Sequence, residues 1–286
     1  MRILFVCDYF SPFAKGGGEI SAYWQAKKLV KEGIRVYNLA SSYKKTKSPV
    51  FFLNPFFIFF QFIKIIKIVK KKKVDLIHCQ GKYSTPSSVL AKLFLKIPLI
   101  ITLRDYKGIC NHGFCLWGNN NGCNLISFFK RDFLFYYENY IKRKNIFSFL
   151  RQLLFSYPGR LNHSALSFFM KKADKFVCVS NYVSEVYKAN GYDKKKMVTI
   201  YNLVPQMKLE GVKIPKKVKK IIKKYKYTIL YAGKLSFGKG AGLLINTAQE
   251  IIRKKKDVLF IFAGNIYYPL KKIKSNFNKC RNKHTN

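Results

Sequence analysis

The chain has 286 residues, 49% hydrophobic and 24% charged, which excludes a disordered polymer and leaves room for one large domain plus a second, whole or partial. Its 55 Lys and Arg against 13 Asp and Glu give a formal charge of +42. That excess, mostly lysine, either suits phosphate-rich partners (anionic lipid headgroups, nucleoside diphosphates, nucleic acid) without naming one, or reflects a lysine-biased composition alone.

The N-terminal MRILFVCDYF has too short an apolar run for a signal peptide and predicts a first strand over Arg2–Cys7. DYFSPFAKGGGEIS then sets Gly16, Gly17 and Gly18 at a strand-to-helix turn, where backbone N–H groups can approach an anion at the positive end of a helix. The spacing departs from G-x-G-x-x-G, so no dinucleotide fingerprint is read, and alone the cluster suits a flexible turn better. In the following helix Ala22, Ala26, Leu29 and Val30 share a face, with Gly33 where a left-handed cap is wanted.

A strand is predicted at Arg35–Ala40. The longest apolar stretch, Val50–Ile63, is broken by Asn54, Pro55 and Gln61 and falls short of a membrane span. Phe56–Lys73 is expected to form a helix packed on the sheet, its terminal lysines solvated or turned to an anionic membrane surface. Strands are predicted at Val74–Cys79 and Leu99–Leu103, then an insert over about 107–161, then strands at Lys175–Val179 and Val198–Tyr201. Residues 205–226, with two Pro, a Gly and a dense Lys run, read as a basic linker between a domain over 1–204 and one over 227–286.

Beyond it, strands at Thr228–Ala232 and Val258–Ala263 flank a helix marked by Leu244, Ala248, Ile251 and Ile252. Between strand and helix, YAGKLSFGKGAG offers Gly233 and two ammonium groups, Lys234 and Lys239, to a diphosphate; Gly240 after Lys239 rules out a Walker loop. Strands apolar without alternation, separated by helices, predict an α/β fold with a parallel sheet.

Seven scattered cysteines form no disulfide framework, which fits a reducing, cytoplasmic location; Cys7, Cys79 and Cys178 sit in strands as small hydrophobes. Cys110, His112, Cys115 and Cys123 are chemically able to ligate zinc, but their irregular spacing favours packing or thiol chemistry, and no metal is predicted.

Five stretches in order carry a resemblance: Gly16–Glu19; DLIHCQG at Asp75–Gly81; TLRDYKGIC at Thr102–Cys110 with LWGNNNGC to Cys123; ADKFVCVSNYV and TIYNLV within Ala173–Val204; and LYAGKLSFGKG with FIFAGN within Leu230–Asn265. Together they resemble family 4 glycosyltransferases of the GT-B fold. The resemblance implies one complete Rossmann-type domain followed by a partial second one, with a cleft between facing domains, the acceptor mainly on the first and a nucleotide-diphosphate sugar mainly on the second. It implies that Gly17 and Gly18 approach the donor phosphate, that Lys234 and Lys239 hold the diphosphate, and that Gly233 and Gly264 let the backbone pass close to the nucleotide.

Lys234 stands where the family often has Arg, and Arg104, before Asp105, where many members have His; the second change implies altered sugar or acceptor recognition, unless Arg104 simply pairs with a carboxylate. The implied reaction is retaining transfer of a hexosyl unit to a glycan or lipid-linked acceptor, with Arg104, Asp105 and Lys239 as the catalytic groups and no obligatory metal or other cofactor. The family's paired glutamates, seven residues apart, do not occur, and the sequence stops 22 residues after Gly264. The expectation is a C-terminally truncated chain, inactive alone or completed by a second chain. The alternative is a non-catalytic basic protein that binds anionic membrane or nucleic acid, without a specific nucleic-acid motif.

Overall fold

The computed structural model describes residues 1–10, 16–42, 54–106, 108–109, 165–203, 214–235 and 239–265. The insert at 107–161, apart from 108–109, therefore lies outside the described residues, as do Cys110, His112, Cys115, Cys123 and the residues after Asn265. The described residues fall into two compact units, one up to 203 and one from 214 onward.

In the first unit, β1 (Arg2–Tyr9), β2 (Arg35–Ser42), β3 (Leu76–Cys79), β4 (Leu99–Leu103), β5 (Lys175–Cys178) and β6 (Met197–Thr199) form one sheet in the order β2-β1-β3-β4-β5-β6. Every pair is parallel, as expected of strands linked through helices. The continuous apolar run of β1 has a direct cause: both of its faces are covered. Leu4 and Val6 join a cluster with Ile77, Leu99 and Phe176, while Ile3, Phe5 and Cys7 pack on the opposite face with Ala26 and Leu29 of α1 (Gly17–Lys31).

Val30, expected on the same packed face of α1, is instead more than half exposed. The stripe centres on Ala22, Ala26 and Leu29, and Val30 falls at its margin, turned to solvent. Gly33 takes φ +78° just after the helix, as its predicted capping role requires.

The helix α2 (Pro55–Lys72) starts where Asn54 accepts a hydrogen bond from the Phe56 N–H (2.9 Å) and Pro55 occupies the first turn. Its inner face carries Gln61, Ile65 and Val69, and it packs beside α3 (Thr85–Leu95). A polar seam runs between them: the Gln61 amide donates to Ser41 Oγ and Ser84 Oγ, and Ser87 Oγ donates to Gln61 Oε1 (2.6 Å). Among the described residues no helix is long and apolar enough to cross a membrane.

Asp8, at the end of β1, anchors the start of α3. Its carboxylate accepts from the backbone N–H of Tyr83 (3.1 Å) and Ser84 (2.8 Å) and from Ser84 Oγ (2.8 Å). Removing it leaves these donors unsatisfied in a partly buried position. Asp8→Ala is expected to cost about 2 kcal/mol and lower the melting temperature by roughly 4–8 °C, measured by thermal denaturation. An unchanged melting temperature would show that water replaces the carboxylate without loss.

In the second unit, α5 (Lys216–Ile222) occupies part of the stretch read as a linker; the helix before it in chain order, α4 (Asn181–Ala189), belongs to the first unit. β7 (Tyr227–Ala232) and β8 (Val258–Ala263) pair in parallel. The connecting helix α6 (Ala241–Lys254) buries Ala241, Ile245 and Ala248. Leu235 and Ala241 form a small core with Tyr231 and Phe262.

Candidate functional site

The strand order of the first unit fixes where a ligand can bind. The chain leaves β1 toward β2 on one side and returns to β3 on the other, so the connections diverge above the carboxyl ends of β1 and β3 and leave a crevice there. Onto this edge the structure brings Gly16–Gly18 after β1, Gln80 and Gly81 after β3, and Arg104 and Asp105 after β4.

The α1 start carries no side-chain cap, so its first-turn N–H groups keep the positive end of the helix dipole. A Cβ on Gly17 would meet nothing within 4 Å, whereas one on Gly18 would touch the Cδ of Arg104 at 3.5 Å. Gly18 is thus placed beside Arg104, while Gly17 faces open space. Ser21 Oγ donates to Asn202 Oδ1 (2.7 Å), which ties the first turns of α1 to the segment after β6.

Arg104 reaches its neighbours incompletely. One terminal nitrogen donates to the Gln80 carbonyl at 3.5 Å, while the buried Nε has no hydrogen-bond partner, nor does the buried Gln80 Oε1. Burial pulls the guanidinium below its usual value, and nearby anionic groups, Glu19 and Asp105 among them, pull the other way. It stays charged at any relevant pH. A buried cation with an unused donor is prepared for an incoming acceptor group.

Behind it lies His78, 5% exposed, which sequence reasoning treated only as part of a strand motif. Its Nε2 lies 2.7 Å from Thr102 Oγ1 and 3.2 Å from Gln80 Nε2, and its ring stands edge-on to Phe5. Desolvation, then the Arg104 charge, lowers its pKa to about 3, so it is neutral under ordinary conditions. Gln80 Nε2 also donates to Gln25 Oε1 (2.9 Å), linking this group to α1. Burial pushes the Cys7 thiol up, and Cys79 to about 11, so both are protonated and inert.

The other predicted residues share the carboxyl edge of the second unit. Gly233 and Gly264 directly follow β7 and β8, with φ of +153° and +154°. A Cβ on Gly264 would run into the Gly233 carbonyl oxygen, so this pair of backbones approaches as closely as it does only without a side chain. Lys234 is exposed beside them, its carbonyl accepting from Tyr231 Oη (3.0 Å). Lys239 is exposed immediately before Gly240, the left-handed cap of α6, which also lacks a side-chain hydrogen bond. Among the described residues no cluster of His, Cys, Asp and Glu could hold a metal.

A parallel sheet with its polar groups gathered on the carboxyl edge defines a Rossmann-like α/β protein. The chain belongs to glycosyltransferase family 4, whose sequence pattern matches residues 15–206. It is similar to the crystal structure of Anabaena Alr3699/HepE in complex with UDP-glucose, with a TM-score of 0.56 at 14% identity over 98% of this chain and 65% of that one. The structure of the same protein in complex with UDP and glucose gives a TM-score of 0.54 at the same identity and coverage. The chain thus spans about 65% of the length of these structures. No curated protein sequence matches it.

Proposed function

We propose that the chain binds a nucleotide-diphosphate sugar and contributes donor- and acceptor-binding residues to a retaining hexosyltransferase acting on a glycan or lipid-linked acceptor. The observation that carries this reading is the glycine turn Gly16–Gly18 at the topological switch point, with the Arg104 side chain beside Gly18. The UDP and UDP-glucose held by the HepE structures support the donor class.

In this reading Lys234 and Lys239, with the α6 start, hold the diphosphate, and Gly233 and Gly264 leave its backbone edge open to the nucleotide. In the first unit, Gly17 and Gly18 leave the α1 N–H groups open to an anion. Arg104 and Asp105 orient the sugar or the acceptor. In a front-side displacement the bond from C1 to the diphosphate oxygen breaks as the acceptor oxygen bonds to the same face, the acceptor hydroxyl proton passes to the departing phosphate oxygen, and no protein nucleophile is required. The negative charge growing on the diphosphate is met by the lysines and helix dipoles, so that no metal is obligatory.

Calorimetric titration with UDP and GDP tests the reading. Lys239→Ala is expected to weaken nucleotide binding by about 10- to 100-fold, the worth of one charge-assisted hydrogen bond. A chain that ignores both nucleotides yet binds single-stranded DNA, and loses it with rising salt, would be a basic binding protein instead.

A further inference from the structure

The ends of β4, β5 and β6 repeat one chemical pattern. Asp105 and Tyr106 follow β4, Asn181 and Tyr182 follow β5, and Tyr201 and Asn202 follow β6, so three neighbouring strands each bring a tyrosine beside a carboxylate or an amide to the carboxyl edge. Ligands of parallel sheets bind along this edge. Tyr182 and Tyr201 are 60% and 65% exposed, and α4 buries Val183, Val186 and Tyr187 instead, so packing does not account for the Tyr182 ring.

The first two of these tyrosines form a supported pair. The rings of Tyr106 and Tyr182 meet at 6.4 Å and 86°, and Tyr106, itself packed on the core, props the exposed ring. Ser180 Oγ accepts from the Val183 N–H (3.2 Å), which fixes the first turn of α4 that carries Tyr182. Beneath, two buried tyrosines hold the turn that carries Tyr106. Tyr187 Oη donates to Asp105 O (2.9 Å) and accepts from Gly108 N (3.0 Å), while Tyr192 Oη donates to the Gly108 carbonyl (3.1 Å). A Cβ on Gly108 would lie 2.7 Å from Tyr187 Oη, so this grip requires the glycine. An aromatic face held in this way loses little freedom when a ligand settles on it.

We propose that Tyr182, with Tyr106 at its edge and Asn181 next to it in the chain, is a stacking subsite for a neutral pyranose unit of a glycan. The C–H face of a sugar ring is apolar and covers an aromatic face, while its hydroxyls call for planar groups that both donate and accept, as the exposed Asn181 amide does. A nucleobase fits less well, because two rings at right angles leave no parallel slot to clasp it. Tyr201 and Asn202 on the next strand offer the same chemistry to an adjoining sugar unit. The inference rests on the sugar-transfer reading for the place of this subsite in the reaction, and narrows the acceptor to one recognised through its sugar; the binding itself needs no nucleotide.

Saturation-transfer NMR and calorimetry of the full chain with maltotriose, cellotriose, mannotriose and di-N-acetylchitobiose test it. At least one is expected to bind, with saturation reaching its ring C–H protons. Tyr182→Ala is expected to weaken that binding about tenfold, whereas Tyr182→Phe and Tyr182→Trp retain it, because the ring face is what the sugar covers. UDP binding is expected to be the same in all three variants. No binding of any of the four sugars, full binding by Tyr182→Ala, or an equal loss in Tyr182→Phe and Tyr182→Ala overturns the proposal. So does a loss of UDP binding in Tyr182→Ala, which would give the ring to the nucleobase. Sugar binding by a chain that ignores UDP and GDP keeps the subsite and sinks the transfer reading; UDP binding without sugar binding does the reverse.

Discussion

Gly264→Ala is expected to unfold the second unit while leaving the first intact. The new methyl group would occupy the position of the Gly233 carbonyl oxygen, at a φ of +154° that alanine adopts only with strain. Relief requires β7 and β8 to part just beyond the Ala232–Ala263 pair, which breaks the bonds from Gly233 N to Ala263 O (2.8 Å) and Leu235 N to Asn265 O (2.9 Å). Backbone strain, overpacking and two lost hydrogen bonds together cost about 4 kcal/mol or more. The core beneath, built on Leu235 and Ala241, is small and cannot absorb such a loss. Amide hydrogen exchange is the direct readout. Protection of Tyr227–Ala232 and Val258–Ala263 should collapse, while the strands of the first unit keep theirs. Equal protection in both proteins would mean that the two glycines do not approach as closely as described.

The second large effect is a loss of stability on mild acidification, centred on His78. Its folded pKa, about 3, lies below the ordinary 6.5, so the unfolded chain takes up the proton first. The associated stability is fully present above pH 6.5 and drains away as the pH falls toward 3, by roughly 5 kcal/mol in all. The cause is local: a charged imidazolium would be buried, with the Arg104 cation nearby and the amide of Gln80 turned toward it. Denaturant melts of wild type and His78→Gln at a series of pH values provide the check. The wild-type curve should fall more steeply between pH 6 and 4, by up to about 1.4 kcal/mol per unit, the value for one linked proton. Parallel curves would show that His78 is accessible to solvent and titrates normally.

Much of the fold was legible because the parallel sheet imposes a simple rule. A strand covered on both faces, such as β1, is apolar without alternation, and all eight predicted runs are strands, although β7 is largely exposed. Their ends were less certain: β1 continues through Asp8 to Tyr9, because pairing with β2 outlasts the apolar run, and β6 lies one to two residues earlier than read. Along α6 the buried line passes through Ala241, Ile245 and Ala248, next to the Leu244 chosen from the sequence.

The candidate site was legible in part. The glycine turn and Arg104 stand out locally, as strand-to-helix punctuation and as a charge after a strand. Gln80, His78 and Asn202 do not. Their importance comes from partners 24 to 181 residues away: Thr102 for His78, Gln25 for Gln80 and Ser21 for Asn202. Asp8 likewise reads as the end of a strand, and only the contact with Tyr83 and Ser84 makes it an anchor.

The row of hydroxyls around Gln61 acts on α2 as a key acts in a lock. An apolar inner stripe alone would let this helix turn about its axis at little cost, one leucine-sized group replacing another. Gln61 is donor and acceptor at once, matched to Ser41, Ser84 and Ser87 from two other elements. Turning α2 by one residue, about 100°, would strip the Gln61 amide of these partners, while the hydroxyls keep their bonds to Cys7 O, Asp8 and Ser84 O. The azimuth of the helix is thereby set from within the protein.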